Sequence, residues 1–132
     1  MRRVPAVALM AMIGVLLFGG CSQGILDTKW GIEETAKKNS AALQGLKPGM
    51  ALKDVVPKMD GEPYLAESYT GGHGERILVY KYITRPKSTL GDIKDDDLTP
   101  LVFVNDAFEG SGWPYLETAS NKYGFAAKAK IR

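Results

Sequence analysis

The first twenty residues limit the fold more than any other feature, because they are set apart from everything that follows. Arg2 and Arg3 form a positive end, Val4 to Phe18 is an uncharged apolar run, and the small residues Gly19 and Gly20 stand directly before a cysteine. Those three parts, in that order, are the parts of a secretory signal peptide. The run is shorter than the roughly 20 apolar residues that span a bilayer comfortably. Residues 1–20 are therefore expected to be removed. About 110 residues remain, enough for one small domain near the lower limit of an independent core.

Cys21 is the single cysteine of the chain, so no intramolecular disulfide can form. The segment Leu17-Phe18-Gly19-Gly20-Cys21 resembles the bacterial lipobox, in which the cysteine becomes the first residue and carries acyl chains. Several chains, each contributing about 0.8 kcal/mol per buried methylene, hold a soluble domain at a membrane surface. Ser22 and Gln23 follow, without the aspartate that retains such proteins at the inner membrane. The expected location is the outer membrane, with the domain facing the periplasm.

Charge excludes another class. The formal charge of +2 is supplied by Arg2 and Arg3, and beyond Gly20 basic and acidic residues are equal in number. A neutral mature chain without clustered Lys and Arg is not built to offset nucleic-acid phosphates.

Ser22 to Thr28 has the composition of a short tether, giving a lipidated segment over 21–29 and one domain over 30–132. Ile32, Ala36 and Leu43 recur at helical spacing in a segment from Trp30 to Leu46, supported by Glu33/Lys37 and Glu34/Lys38 pairs. Lys47-Pro48-Gly49 ends it. Leu52, Val55, Val56 and Met59 predict a second, short helix over Ala51 to Met59, which Pro57 must kink or finish early. The remainder reads as strands: Tyr64 to Tyr69, Glu75 to Thr84, Leu98 to Asn105 and Glu109 to Thr118. Thr70-Gly71-Gly72-His73-Gly74 and Asn105-Asp106 mark tight turns, and Arg85 to Asp97 is a polar loop. The expected fold is α+β, two N-terminal helices packed on one face of a three- to four-stranded antiparallel sheet.

Candidate chemistry is sparse. His73 is the one histidine and lies in a glycine-rich turn, while Gly110-Ser111-Gly112 lacks the spacing of a nucleophile elbow. A catalytic role, a metal centre and a cofactor are not expected. Asp92, Asp95, Asp96 and Asp97 are numerous enough to suggest a divalent cation, though not in EF-hand spacing. This loop supports the alternative of a periplasmic small-ligand or cation binder. The aromatics concentrate in the strand half. If helices cover one sheet face only, aromatics on the other would serve partner binding, with Tyr80, Tyr82 and Trp113 as the contact residues.

Gly49-Met50-Ala51-Leu52-Lys53-Asp54-Val55, with Met59 and Gly61-Glu62-Pro63, resembles the SmpA/OmlA (BamE-like) lipoproteins. Val79-Tyr80-Lys81-Tyr82, Leu98 to Phe103 and Gly112-Trp113-Pro114-Tyr115 are similar to the later strands of that family. The resemblance implies two helices on a three-stranded antiparallel sheet and no catalysis. It also implies envelope protein partners, including outer-membrane barrel-assembly components. The function expected from the sequence is thus a non-enzymatic envelope lipoprotein that binds proteins, in outer-membrane assembly or envelope integrity.

Overall fold

The computed structural model describes residues 29–85, 92–128 and 130. Cys21, the leader and most of the tether lie outside the described residues, as do residues 86–91 of the polar loop. The chain forms α1 (Lys29–Leu43), a short α2 (Leu52–Val55), β1 (Leu65–Thr70), β2 (Arg76–Ile83), β3 (Leu98–Val104), β4 (Ala107–Ser111) and α3 (Trp113–Tyr123). The fold is α+β. Its four strands make one antiparallel sheet in the order β1-β2-β3-β4.

Local chemistry accounts for the joints. Ala51 precedes α2 without a side-chain cap, and α2 is a single turn. Pro57 then sits in a 3₁₀ turn, Val56–Lys58, which is the early finish expected of a residue without an N–H. Asn105 and Asp106 both adopt positive φ, 50° and 67°, as a two-residue hairpin with the right-handed strand twist requires.

The register sets the two faces of the sheet. Ile77, Val79, Lys81 and Ile83 share one face with Leu98, Pro100, Val102 and Val104; Leu78, Tyr80 and Tyr82 share the other with Thr99, Leu101 and Phe103. On the second face Tyr82, Leu101, Phe103 and Phe108 pack with Val55 and Met59, joined by Ala42, Leu43 and Leu46. On the first, Ile77, Val79, Val102 and Val104 pack with Leu116 and Ala119 of α3 and with Phe125. Ile32 and Ala36 of α1 meet Ile83 and Leu98 at one end of the sheet.

Two expectations are corrected here. The segment Glu109 to Thr118 is not one strand: β4 ends at Ser111 and α3 begins at Trp113. Gly112 turns the chain at φ 102°, Pro114 fits the first helical turn, and Gly124 closes the helix in the left-handed conformation at φ 72°. Consequently there are three helices rather than two among the described residues, and α3 packs on the face that would otherwise have been open. β3 is buried on both faces along most of its length, and on β2 Leu78 and Tyr80 stay half-buried on the Tyr82 face.

The sheet edges differ. Along β4, Gly49 N–H donates to the Phe108 carbonyl, Phe108 N–H to Met50 and Leu52 N–H to Asp106, each at 2.8 Å, so the segment before α2 covers the Asp106–Phe108 end of that edge. Along β1, no described segment pairs on the side away from β2.

Candidate functional site

Among the described residues nothing pairs with the outer side of β1, and the directions of its side chains follow from its register. Leu65, Glu67 and Tyr69 pair with Lys81, Val79 and Ile77 and so point to the α3 side; Ala66, Ser68 and Thr70 point to the other side and are exposed. The helical layer that covers Tyr82 does not reach them. Tyr64 and Leu65, at the start of the strand, are 48% and 43% exposed and are the exposed large apolar residues among those described. Tyr64 N–H donates to the Lys81 carbonyl at 2.8 Å, which extends the pairing one residue before the strand.

A natural edge strand is commonly protected by an outward lysine, a proline or a bulge. β1 carries one charge, Glu67, and it is neutralised from within. Lys81 Nζ donates to Glu67 Oε2 at 2.9 Å while the lysine is only 3% exposed. Tyr69 Oη donates to the other carboxylate oxygen at 2.8 Å. The same ammonium lies 4.9 Å from the ring centre of Trp113, whose Nε1–H donates to the Leu98 carbonyl at 3.1 Å. Burial, followed by the Glu67 hydrogen bond, pushes the Tyr69 hydroxyl above its ordinary pKa. An incoming strand would therefore meet backbone, small side chains and two apolar residues, without an exposed charge from β1.

The three aromatics singled out from the sequence are not brought together. Tyr82 is fully buried, with Tyr80 at 6.5 Å between ring centres. Tyr80 is half-buried, 5.4 Å from Phe103, on the face next to the uncovered side of β1. Trp113 is half-buried on the opposite face, over Lys81. Burial drives the Tyr82 hydroxyl up to about 12, and among the described residues it has no hydrogen-bond partner. A surface on Tyr82 would require the helical layer to move.

The other candidates are quickly placed. The His73 side chain is 93% exposed, with Nδ1 3.9 Å from Glu75 Oε2. Backbone N–H groups of Glu75 and His73 hold the Glu75 carboxyl below its ordinary value. In the acidic loop, Asp97 Oδ2 accepts from Lys94 N–H at 3.0 Å, and Lys130 lies 2.6 Å from Asp96. Among the described residues no three or more His, Cys, Asp or Glu side chains gather as a metal site would need. No described helix is long and apolar enough to cross a membrane. A groove of about 680 Å³ runs beside α3, with Trp113, Pro114, Leu116, Ser120 and Lys128 in its walls.

Sequence reasoning missed the free edge and the Glu67–Lys81 pair. Its one available signal was Lys81 itself, a charge inside the apolar run Ile77–Ile83 that must find a partner when buried.

Comparison with known proteins corrects the family reading. The match is not to the SmpA/OmlA (BamE-like) lipoproteins but to a different family, over residues 15–117. The motifs behind that resemblance are short and largely apolar. No curated protein and no solved structure matches the chain. With most of its length inside the matched span, the chain belongs to the family described as Protein of unknown function (DUF3192).

Proposed function

We propose that this protein is a non-enzymatic envelope lipoprotein, anchored through acyl chains on Cys21, that binds protein through the uncovered β1 edge. The observation that carries the binding half is that edge: a strand paired on one side only among the described residues, with Tyr64 and Leu65 exposed and its charge turned inward. Such a strand offers main-chain hydrogen bonds to a partner strand, and alternate side chains supply selectivity. Support for the anchored half comes from the order of Arg2-Arg3, the apolar run and Leu17–Cys21. In this reading α1 and α2 form the N-terminal layer on the Tyr82 face, and the tether leads from α1 to the bilayer. The segment from Cys21 to Lys29 spans at most about 28 Å when extended, which keeps the domain close to the membrane. Ser22 and Gln23 favour the outer membrane and a periplasmic domain. Tyr80 belongs to the contact surface through its half-exposed position beside β1.

The anchor is tested by metabolic labelling with palmitate and by membrane fractionation of the full chain and its Cys21→Ser variant. The expected result is labelled, membrane-bound wild type and an unlabelled variant lost from the membrane fraction. Unchanged labelling and fractionation in the variant would remove the anchored half of the reading.

A further inference from the structure

We propose that the occupant of the β1 edge is β1 of a second copy of this chain, added antiparallel about a two-fold axis beside Glu67. The inference rests on the reading of β1 as the binding edge and names its partner. It follows from the chemistry of residues 64–70 when the strand is laid against itself.

Antiparallel partners point to the same face, so a continuous sheet that keeps α3 of both copies on one side must pair residues of like parity. Of those registers, the one centred on Glu67 overlaps the whole segment from Tyr64 to Thr70. It sets Leu65 opposite Tyr69 of the second copy, Tyr64 opposite Thr70, and Ala66 opposite Ser68, each pairing occurring twice. An aliphatic side chain meets an aromatic, an aromatic meets a β-branched residue, and two small residues meet each other. These are favourable cross-strand combinations. The exposed Tyr64 and Leu65 are then covered at both ends of the new interface.

The centre is where self-pairing of an acidic strand ordinarily fails, since like charges directly opposite repel. Here each Glu67 brings its own Lys81 at 2.9 Å, so two carboxylates and two ammonium groups meet as a neutral set. Each copy thus neutralises its own β1 carboxylate from β2, and no like-charge repulsion opposes the pairing. The pairing is about 24 Å long, and an edge contact of the single segment 64–70 is small beside the roughly 1,000 Å² of a stable association. That size predicts a reversible dimer, favoured when the copies are confined to one membrane surface.

The test uses the full lipidated chain in mild detergent, by sedimentation velocity between about 1 and 100 μM, a range set to bracket a weak interface. Ala66 and Ser68 are exposed and cross-paired, so A66K/S68K places four like charges on one strip without disturbing the core. The expected result is a protein mass that doubles with concentration in wild type. A66K/S68K and A66E/S68E should each stay monomeric with unchanged melting temperature, and their mixture should recover the dimer. A wild type monomeric throughout, or a dimer that A66K/S68K leaves intact, would overturn the proposal. So would Ser68 cross-links in cells that reach another protein and never a second copy, although the edge would then still bind a partner. Loss of all cross-links from this edge would remove both readings.

Discussion

Tyr82 and Lys81 are neighbours that face opposite sides of the same strand, and each carries a polar group into the interior at a different cost. The Tyr82 hydroxyl is buried without a partner among the described residues, which typically costs about 1–3 kcal/mol. Tyr82→Phe removes that group and keeps the ring against Tyr80 and Leu101. Equilibrium urea unfolding should find it equal to or more stable than wild type by up to about 1 kcal/mol, whereas Tyr82→Ala should lose about 3–5 kcal/mol. A Tyr82→Phe variant clearly less stable than wild type would mean the hydroxyl has a partner. Lys81 is the converse, a charge whose partner is present. Lys81→Ala leaves the half-enclosed Glu67 carboxylate and the Trp113 ring without their cation and should cost about 3–5 kcal/mol. Replacing both charges together, as Lys81→Met with Glu67→Leu, should recover most of that loss in the same measurement. Failure to recover would assign the cost to packing around Trp113 rather than to the unpaired carboxylate.

At the level of elements, most of the first half was legible from residue pattern. The predicted helix from Trp30 to Leu46 appears as Lys29–Leu43, and the strand expected over Glu75 to Thr84 appears as Arg76–Ile83. Hydrophobic period and turn residues agree in both. α3 was not legible, because Trp113, Tyr115 and Thr118 are residues that favour strands and directly continue a strand. The competing signals were Pro114 in the first turn and Gly112 and Gly124 at the flanks, with Leu116 and Ala119 three apart on the buried side. Tertiary contacts decide the matter. The Tyr115 ring lies over Gly110, where an added Cβ would come within 2.9 Å of its carbons. Both the Tyr115 and Tyr123 hydroxyls donate to Glu109 Oε1, at 3.1 and 2.7 Å. α3 is thus fastened to β4 by a contact that only glycine permits. Gly110→Ala should destabilise the protein by about 1–3 kcal/mol in denaturant unfolding. An unchanged midpoint would show that Tyr115 moves aside freely. The free edge was illegible for a related reason: alternation assigns faces to a strand but does not say which strand is outermost.

For the whole molecule, the tyrosines set the alkaline limit. Burial raises Tyr82 and Tyr115 to about 12, the latter also through Glu109; Tyr123 reaches about 12 chiefly through its Glu109 hydrogen bond. A phenol with a folded pKa above its unfolded value near 10 stays protonated in the fold after the unfolded chain has begun to ionise. The unfolded state then binds fewer protons, so stability falls as pH rises. Their contribution is present below pH 10 and is lost between about 10 and 12. Thermal midpoints should decline across that window. A flat profile there would contradict the buried, Glu109-tied placement of these rings.

The described helices pack on both faces of the sheet and the segment before α2 covers one end of β4, while among the described residues nothing pairs with the outer side of β1. In-cell photo-cross-linking tests the proposed β1 surface most directly, with a photoreactive residue placed singly at Ser68 and, as a control beside the opposite, β4 edge of the sheet, at exposed Lys53 of α2. Reproducible protein cross-links from Ser68, absent from Lys53 and lost when A66K is introduced, are the predicted result. Silence at Ser68, or equal cross-linking from both positions, would contradict the assignment of the β1 edge as the interaction surface.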